Sequence, residues 1–201
     1  MPTYTKVFSE ILKSKFGINT EDSKDYYLDS TSIPINFQFK HILEKNKKST
    51  NDVPQLVDEF YGIVDDIEFN LFVGAKELIG ELFDCEYKLF ITTGSKTTDT
   101  KIRLEKAKLK KYFYHIFGAD EIPKGPKHIK KFAQSVNLSV EDFSKQAFYC
   151  GDGPRDMEIA RMFGIYAIGI AQSVSKEKLL KSGADIAIDK IGEVIDLEIL
   201  K

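Results

Sequence analysis

The sequence predicts an α/β protein in which a mostly parallel sheet has helices on both faces and follows a helical module. From about residue 73, short apolar runs alternate with amphipathic segments, as in the strand–helix units of parallel sheets. In the first 72 residues, apolar side chains instead recur at steps of three and four, which is typical of helices. We therefore divide the chain into a helical module, 1–72, and an α/β core, 73–201.

The helical module contains three clear amphipathic patterns. The first is followed by Gly17, a residue type that often ends helices. Its apolar stripe consists of Tyr4, Val7, Phe8, Ile11, Leu12 and Phe16. The segments "IPINFQFKHILEKN" and "VPQLVDEFYGIVDDI" predict two further helices, and Asn51 or Asp52 is suited to cap the second of them.

The core alternates strands and helices, and right-handed crossovers would place its helices on both faces of a Rossmann-like sheet. The predicted strands are "YKLFITTGS", "YFYHIFGADE", "QAFYCGDG", "IYAIGIA" and "DIAID". The predicted helices are "GAKELIGELF", the lysine-rich segment 101–111, "PKHIKKFAQSVNL", "PRDMEIARMFG" and "SKEKLLKSG".

Charge and composition exclude several classes of function. The chain has 29 basic and 31 acidic residues and a net charge of −2, which argues against a general binder of nucleic acids or membranes. The lysines of segment 101–111 read as a solvated helix face, because apolar residues line its other side. No apolar run reaches the length of a membrane span, and the first residues do not resemble a signal peptide. We expect a cytoplasmic protein.

Two cysteines and three histidines are read as structural. Cys85 and Cys150 lie in apolar stretches, so we expect buried free thiols in a reducing compartment rather than a disulfide framework. His41, His115 and His128 do not have the spacing of a metal site.

Three polar clusters fall where ligands bind in open parallel sheets, beyond the carboxyl ends of the strands. The segment Thr92–Ser95 ends one strand, and a hydroxyl with backbone N–H groups at such a turn suits a phosphate. Asp152 and Asp156 follow another strand and suit Mg²⁺. Between them, Lys124 and Lys127 provide positive charge. Each cluster alone also fits an ordinary turn or helix cap.

In this order and at these spacings, the clusters resemble the motifs of the haloacid dehalogenase superfamily, in its phosphatase branch with a small helical cap. The resemblance implies that Thr93 and Gly94 bind the phosphate and that Lys127, with Lys124 as the alternative, neutralises it. It also implies that Asp152 and Asp156 hold Mg²⁺ and that the partner is a small phosphorylated metabolite, a phosphomonoester.

The sequence departs from this family at the first motif, an Asp-x-Asp at the end of the first strand. In the family, the first aspartate attacks phosphorus to form an aspartyl-phosphate, and the second acts as general acid and base. This sequence contains no Asp-x-Asp, and Asp29, Asp65 and Asp66 do not fit the motif. We therefore predict that the chain is inactive as it stands, being either truncated or a phosphate-binding, regulatory relative.

The same departure has a structural consequence, since the family's first strand lies in the middle of the sheet. The strand of "FITTG" must then pair directly with that of "FYCGDG", or something must fill the gap, because a vacant slot would leave two rows of backbone donors and acceptors unpaired, which is costly when buried. Three explanations follow: a misplaced or truncated start, an inactive relative that closed its sheet, or a strand supplied by another chain. The oligomeric state is left open, although an unpaired edge favours association.

Overall fold

The computed structural model describes residues 2–30, 33–64, 71–120, 122 and 124–198. The chain divides into two compact units, 1–69 and 70–201. The boundary drawn from the sequence lies a few residues further along the chain. Within the described ranges, no helix is both long and apolar enough to cross a membrane.

The described part of the first unit is helical, as the sequence predicted. Its elements are α1 (Pro2–Phe16), α2 (Thr20–Asp29), α3 (Ile35–Lys45) and α4 (Val53–Val64). Gly17 follows α1 with φ +65°, a conformation that glycine adopts without strain. The Phe8 and Phe39 rings pack 4.7 Å apart in the core of this unit. Helix α2 was not predicted separately, and its signal is Asn19, whose side chain caps the first turn.

The second unit alternates helices and strands in the predicted order. Its elements are α5 (Ala75–Asp84), β1 (Leu89–Thr92), α6 (Thr97–Lys106), β2 (Phe113–Phe117), α7 (Pro126–Ser135), α8 (Val140–Gln146), β3 (Phe148–Gly151), α9 (Pro154–Phe163), β4 (Tyr166–Ile170), α10 (Lys176–Lys181) and β5 (Ile186–Ile188). Two 3-10 helices, Lys110–Tyr112 and Ile191–Asp196, complete it. The sequence analysis missed α8, a helix of two turns marked by its capping residue Ser139.

The predicted single sheet is divided in two. Strands β1 and β2 form one parallel pair, and β3, β4 and β5 form a second parallel sheet in that order. Among the described strands, β1 does not pair with β3. Of the two arrangements expected from the sequence, direct pairing of these two strands does not occur among the described residues.

The same helices pack against both sheets. On one face, the ring of Phe90 in β1 lies 4.7 Å from that of Phe132 in α7 and 5.8 Å from that of Phe143 in α8. Tyr149 of β3 belongs to the same apolar cluster. On the opposite face, α5 contributes Leu78 to the cluster beneath β3, β4 and β5. Its next residue, Ile79, packs against the cluster that contains Ile91 of β1.

The cysteines are not buried, contrary to expectation. Both Cys85 and Cys150 have free thiols on exposed side chains. Cys85 caps the exposed end of α5. Cys150 lies within β3. Desolvation by the surrounding protein raises the pKa of Cys150 to about 12.

Alkylation of Cys150 should therefore depend steeply on pH. In a Cys85→Ser variant, the rate with iodoacetamide should rise about tenfold per pH unit from pH 7 to 11, because only the thiolate reacts. A raised pKa keeps the thiol protonated over this range. The rate is measured by mass spectrometry, with Cys150→Ser as the blank. A plateau near pH 9 would show an ordinary thiol and contradict this assignment.

Candidate phosphate-binding site

The loop after β1 is tightly held and leaves the Gly94 N–H without an acceptor among the described residues. The Thr93 N–H donates to the Phe117 carbonyl across the strand pair, at 3.1 Å. The Ser95 N–H donates to the Thr93 hydroxyl, also at 3.1 Å. No described residue accepts from the Gly94 N–H. A hydroxyl beside a free N–H at a strand-to-helix turn is the arrangement that binds phosphate oxygens.

The end of β2 fixes this loop from the other side. Thr97 donates through its hydroxyl to the Asp120 carboxylate at 2.7 Å and through its N–H at 2.9 Å. The Gly118 N–H donates to the same hydroxyl at 2.9 Å. A Cβ on Gly118 would lie 2.3 Å from the Thr97 nitrogen. Only glycine therefore allows the two segments to approach this closely.

Asp156 lies at the centre of a buried polar network. Its Oδ1 is 2.6 Å from Lys124 Nζ, and these two side chains are only 5% and 12% exposed. The Tyr149 hydroxyl donates to the same carboxylate at 3.3 Å. Burial raises the pKa of Tyr149 well above its usual value, and the negative charge of Asp156 adds to the effect. Tyr149 is therefore a neutral donor at all physiological pH values.

Gly151 makes room for Asp156. A Cβ on Gly151 would lie 2.4 Å from the Asp156 Cβ, so any larger residue would displace the carboxylate. The glycine of "GDGPRD" thus has a packing reason that sequence reasoning alone did not provide.

The two lysine candidates have different environments. Lys124 pairs with Asp156, whereas Lys127 is exposed in the first turn of α7. The alternative of the sequence analysis, Lys124, is therefore the lysine that the structure joins to the acidic cluster.

Asp152 is half-buried and has a different partner. Its Oδ2 accepts a hydrogen bond from the Ser173 hydroxyl at 2.8 Å. Ser173 follows β4, and sequence reasoning missed it because nothing in the sequence pairs that serine with Asp152.

Sequence reasoning did not assign His128 and Tyr149 to the site, although both contact residues of it. The His128 ring is fully buried, and its Nε2–H donates to the Ile122 carbonyl at 2.9 Å. Its Nδ1 then accepts from the Thr92 hydroxyl at 2.7 Å. The Thr92 side chain lowers the pKa of Tyr149 and so partly offsets the effect of burial. Contacts run from Tyr149 through Asp156 to Lys124.

The described residues do not complete a magnesium site. Among the ranges described, no cluster of three or more metal-ligating side chains occurs. Asp156 is already paired with Lys124, which leaves Asp152 as the carboxylate with capacity for a cation. We therefore derive no chemical step through a metal from these residues.

Three carboxylates were considered and rejected from the sequence as replacements for the missing nucleophile. Asp29 ends α2 in the first unit. Asp65 and Asp66 lie outside the described residues.

Comparison with known families shows to which family the chain belongs. The family model described as haloacid dehalogenase-like hydrolase matches residues 2–170. This chain belongs to that family. The resemblance stated from the polar motifs is thereby confirmed. No curated protein matches the sequence significantly.

Several solved structures share the fold. A "predicted phosphatase" from Clostridium acetobutylicum is 22% identical, with a TM-score of 0.73, covering 96% of this chain and 93% of that one. A "predicted phosphoglycolate phosphatase" from Haemophilus somnus is 16% identical, with a TM-score of 0.74 and coverages of 97% and 90%. A β-phosphoglucomutase from Clostridium difficile is 16% identical, with a TM-score of 0.72 and coverages of 96% and 86%. At these identities, the likeness concerns the fold.

Proposed function

We propose that this chain of the hydrolase family recognises the phosphate of a small phosphomonoester. It would serve a phosphatase reaction, but the carboxylate that attacks phosphorus is not among its residues. One observation carries the proposal. The Thr93–Gly94 loop follows β1, Asp152 follows β3, and Lys124, which precedes α7, forms a buried ion pair with Asp156 of α9, whose carboxylate also accepts from Tyr149.

Each part has a role in binding phosphate. The Thr93 hydroxyl and the Gly94 N–H would donate to two of its oxygens. Lys124 would share its charge between Asp156 and the phosphate, since an ammonium group carries three N–H donors. Asp156 and Tyr149 would hold the lysine in position rather than touch the substrate.

Hydrolysis needs more than this chain shows. In the reaction that the family resemblance implies, a carboxylate attacks phosphorus, the ester oxygen leaves, and water then cleaves the aspartyl-phosphate. No residue described here can take the attacking role. Magnesium dependence remains a prediction from the resemblance: Asp152 would be one ligand, and the other carboxylates would have to come from outside the described residues.

The substrate class rests on the structural neighbours. One of them is described as a predicted phosphoglycolate phosphatase and another as a β-phosphoglucomutase. Both descriptions name small phosphorylated metabolites. We extend only that class to this chain. The alternative function is phosphate binding without turnover, in a regulatory protein, and the absence of Asp-x-Asp from the sequence favours it.

Phosphate binding by the 201-residue chain tests the proposal. Calorimetry with inorganic phosphate should detect binding, and Lys124→Gln should weaken it by about tenfold or more, as expected for a charge-assisted hydrogen bond. The matched variant Lys127→Gln should change the affinity less than about twofold, because Lys127 is exposed.

A second variant guards against loss of folding. Thr93→Val removes the hydroxyl and keeps the side-chain shape, so it should also weaken phosphate binding. Circular dichroism confirms that each variant is folded. Equal weakening by Lys127→Gln and Lys124→Gln, or no binding by the unmodified chain, would refute the proposed site.

A further inference from the structure

The ring of His128 lies between the segments that carry the candidate phosphate-binding groups. His128 belongs to the first turn of α7, and its side chain is fully buried. The ring contacts the end of β1 through Thr92, the end of β2 through Phe117 and the loop before α7 through Ile122. The first and the last of these segments lead directly to the proposed phosphate donors.

The hydrogen bonds of the ring fix its tautomer. Ile122 offers a carbonyl, which can only accept, so Nε2 carries the hydrogen of the 2.9 Å contact. In a neutral ring, Nδ1 is then unprotonated and accepts from the Thr92 hydroxyl at 2.7 Å. A neutral ring fits the full burial of His128, because a charge is costly to remove from water. Both ring nitrogens are therefore paired, as expected of a buried polar side chain.

The Nδ1 side of the ring holds the phosphate loop. Thr92 is the last residue of β1, and Thr93 follows it directly. The Thr93 N–H donates to the carbonyl of Phe117, whose own ring lies 5.8 Å from that of His128. The imidazole thus contacts both strands at the point where the chain turns into the loop. The direction of the Thr93 hydroxyl is set at this point.

The Nε2 side of the ring holds the backbone around Lys124. Ile122 lies two residues before the lysine. The backbone N–H of His128 donates to the carbonyl of Gly125, the residue after the lysine, at 3.0 Å. The chain on both sides of Lys124 is therefore hydrogen-bonded to His128, while Asp156 holds the lysine side chain.

We propose that His128 is a positioning residue for phosphate binding, whose imidazole holds the Thr93 loop and the Lys124 backbone at the separation that lets both reach one phosphate. The inference rests on the proposed function and deepens it. His128 itself would not touch the phosphate. Donors held in place before binding give higher affinity, because less conformational freedom is lost when the ligand binds.

Two substitutions of His128 separate its hydrogen bonds from its packing. A glutamine amide both donates and accepts, so His128→Gln should bind inorganic phosphate within about threefold of the unmodified chain. Leucine has neither group, and His128→Leu leaves the Thr92 hydroxyl and the Ile122 carbonyl unpaired. Calorimetry should show phosphate affinity falling about tenfold or more in His128→Leu, because the two donor segments are no longer joined.

The control for a merely structural role is Phe132→Leu, one turn further along α7. The ring of Phe132 stacks on that of Phe117 at 4.9 Å. Its loss removes packing and leaves the hydrogen bonds of His128 in place, so the melting temperature should fall. The phosphate affinity should change less than about twofold, since the donors keep their positions. Circular dichroism confirms that each variant is folded.

Nitrogen NMR of the unmodified protein, labelled at histidine, tests the tautomer without phosphate and without depending on the folding of His128→Leu. The signals of His128 are those that His128→Gln lacks. Near neutral pH they should show a protonated Nε2 and an unprotonated Nδ1. A protonated Nδ1 would overturn the inference, because the ring could not then accept from Thr92.

The binding results separate this inference from the proposed function. Unchanged affinity in His128→Leu would overturn the role of His128 alone and leave the proposed site in place. Equal weakening by His128→Gln and His128→Leu, or by Phe132→Leu and His128→Leu, would also overturn it, since packing would then explain the loss. No phosphate binding by the unmodified chain would overturn the proposed function, and the role of His128 with it.

Discussion

Replacing Lys124 by methionine should lower the free energy of unfolding by about 3–5 kcal/mol, the range for breaking a buried ion pair. The change keeps the length of the side chain and removes its charge. Asp156 would then remain as a buried carboxylate with no cation beside it, since its oxygen now lies 2.6 Å from the lysine nitrogen. Urea unfolding followed by circular dichroism measures the effect.

Two further variants isolate the cause. Lys127→Met, three residues away and exposed, should change the unfolding free energy by less than about 0.5 kcal/mol. The double variant with Lys124→Met and Asp156→Asn should recover much of the loss, because no unpaired charge is left. Equal losses for the two lysine variants would show that the pair with Asp156 does not stabilise the fold.

Gly118→Ala should lower the free energy of unfolding at least as much as Lys124→Met does. We expect a loss of about 3 kcal/mol or more, which is toward the upper end for overpacking. The new Cβ would lie 2.3 Å from the Thr97 nitrogen and 2.5 Å from the Ser95 carbonyl oxygen. Both are backbone atoms, so no side-chain rotation relieves the clash. The loop must move, and phosphate binding should weaken together with stability.

The matched control is Gly80→Ala. Gly80 lies within α5, and a Cβ there would meet no atom within 4 Å. This variant should be neutral or stabilising by up to about 1 kcal/mol, because alanine favours helix. Thermal melts of both variants, with calorimetric titration of phosphate, make the comparison. A Gly118→Ala protein as stable as Gly80→Ala would show that the loop is not packed as described.

The sequence predicted the order of strands and helices because each element has a local signal. Apolar runs ending in small polar residues marked β1 and β3, and glycines such as Gly164 marked helix ends. From the sequence, direct pairing of β1 with β3 and a filled gap between them were both open. The packing of α5 and α7 against both sheets is a tertiary feature that the local signals of the strands do not reveal.

The candidate site was predicted in its motifs but not in its contacts. Two lysines three residues apart carry equivalent local signals, and only tertiary structure shows that Lys124 meets Asp156. Tyr149 looks like an ordinary core residue of a strand, since its hydroxyl partner lies on the following helix. The cysteines were wrongly expected to be buried, because apolar neighbours in sequence do not show which way a side chain points in the fold.

The most direct test of the account is a phosphatase assay of the purified 201-residue chain with Mg²⁺ and p-nitrophenyl phosphate. The Asp152→Asn variant is the control for contaminating activity, since it removes the carboxylate with capacity for a cation. We expect no turnover above that control, because the sequence holds no Asp-x-Asp to attack phosphorus. Turnover that is lost in Asp152→Asn would contradict the account, and would mean that another carboxylate of this chain, Asp29 or Asp65 among them, forms the phosphoenzyme.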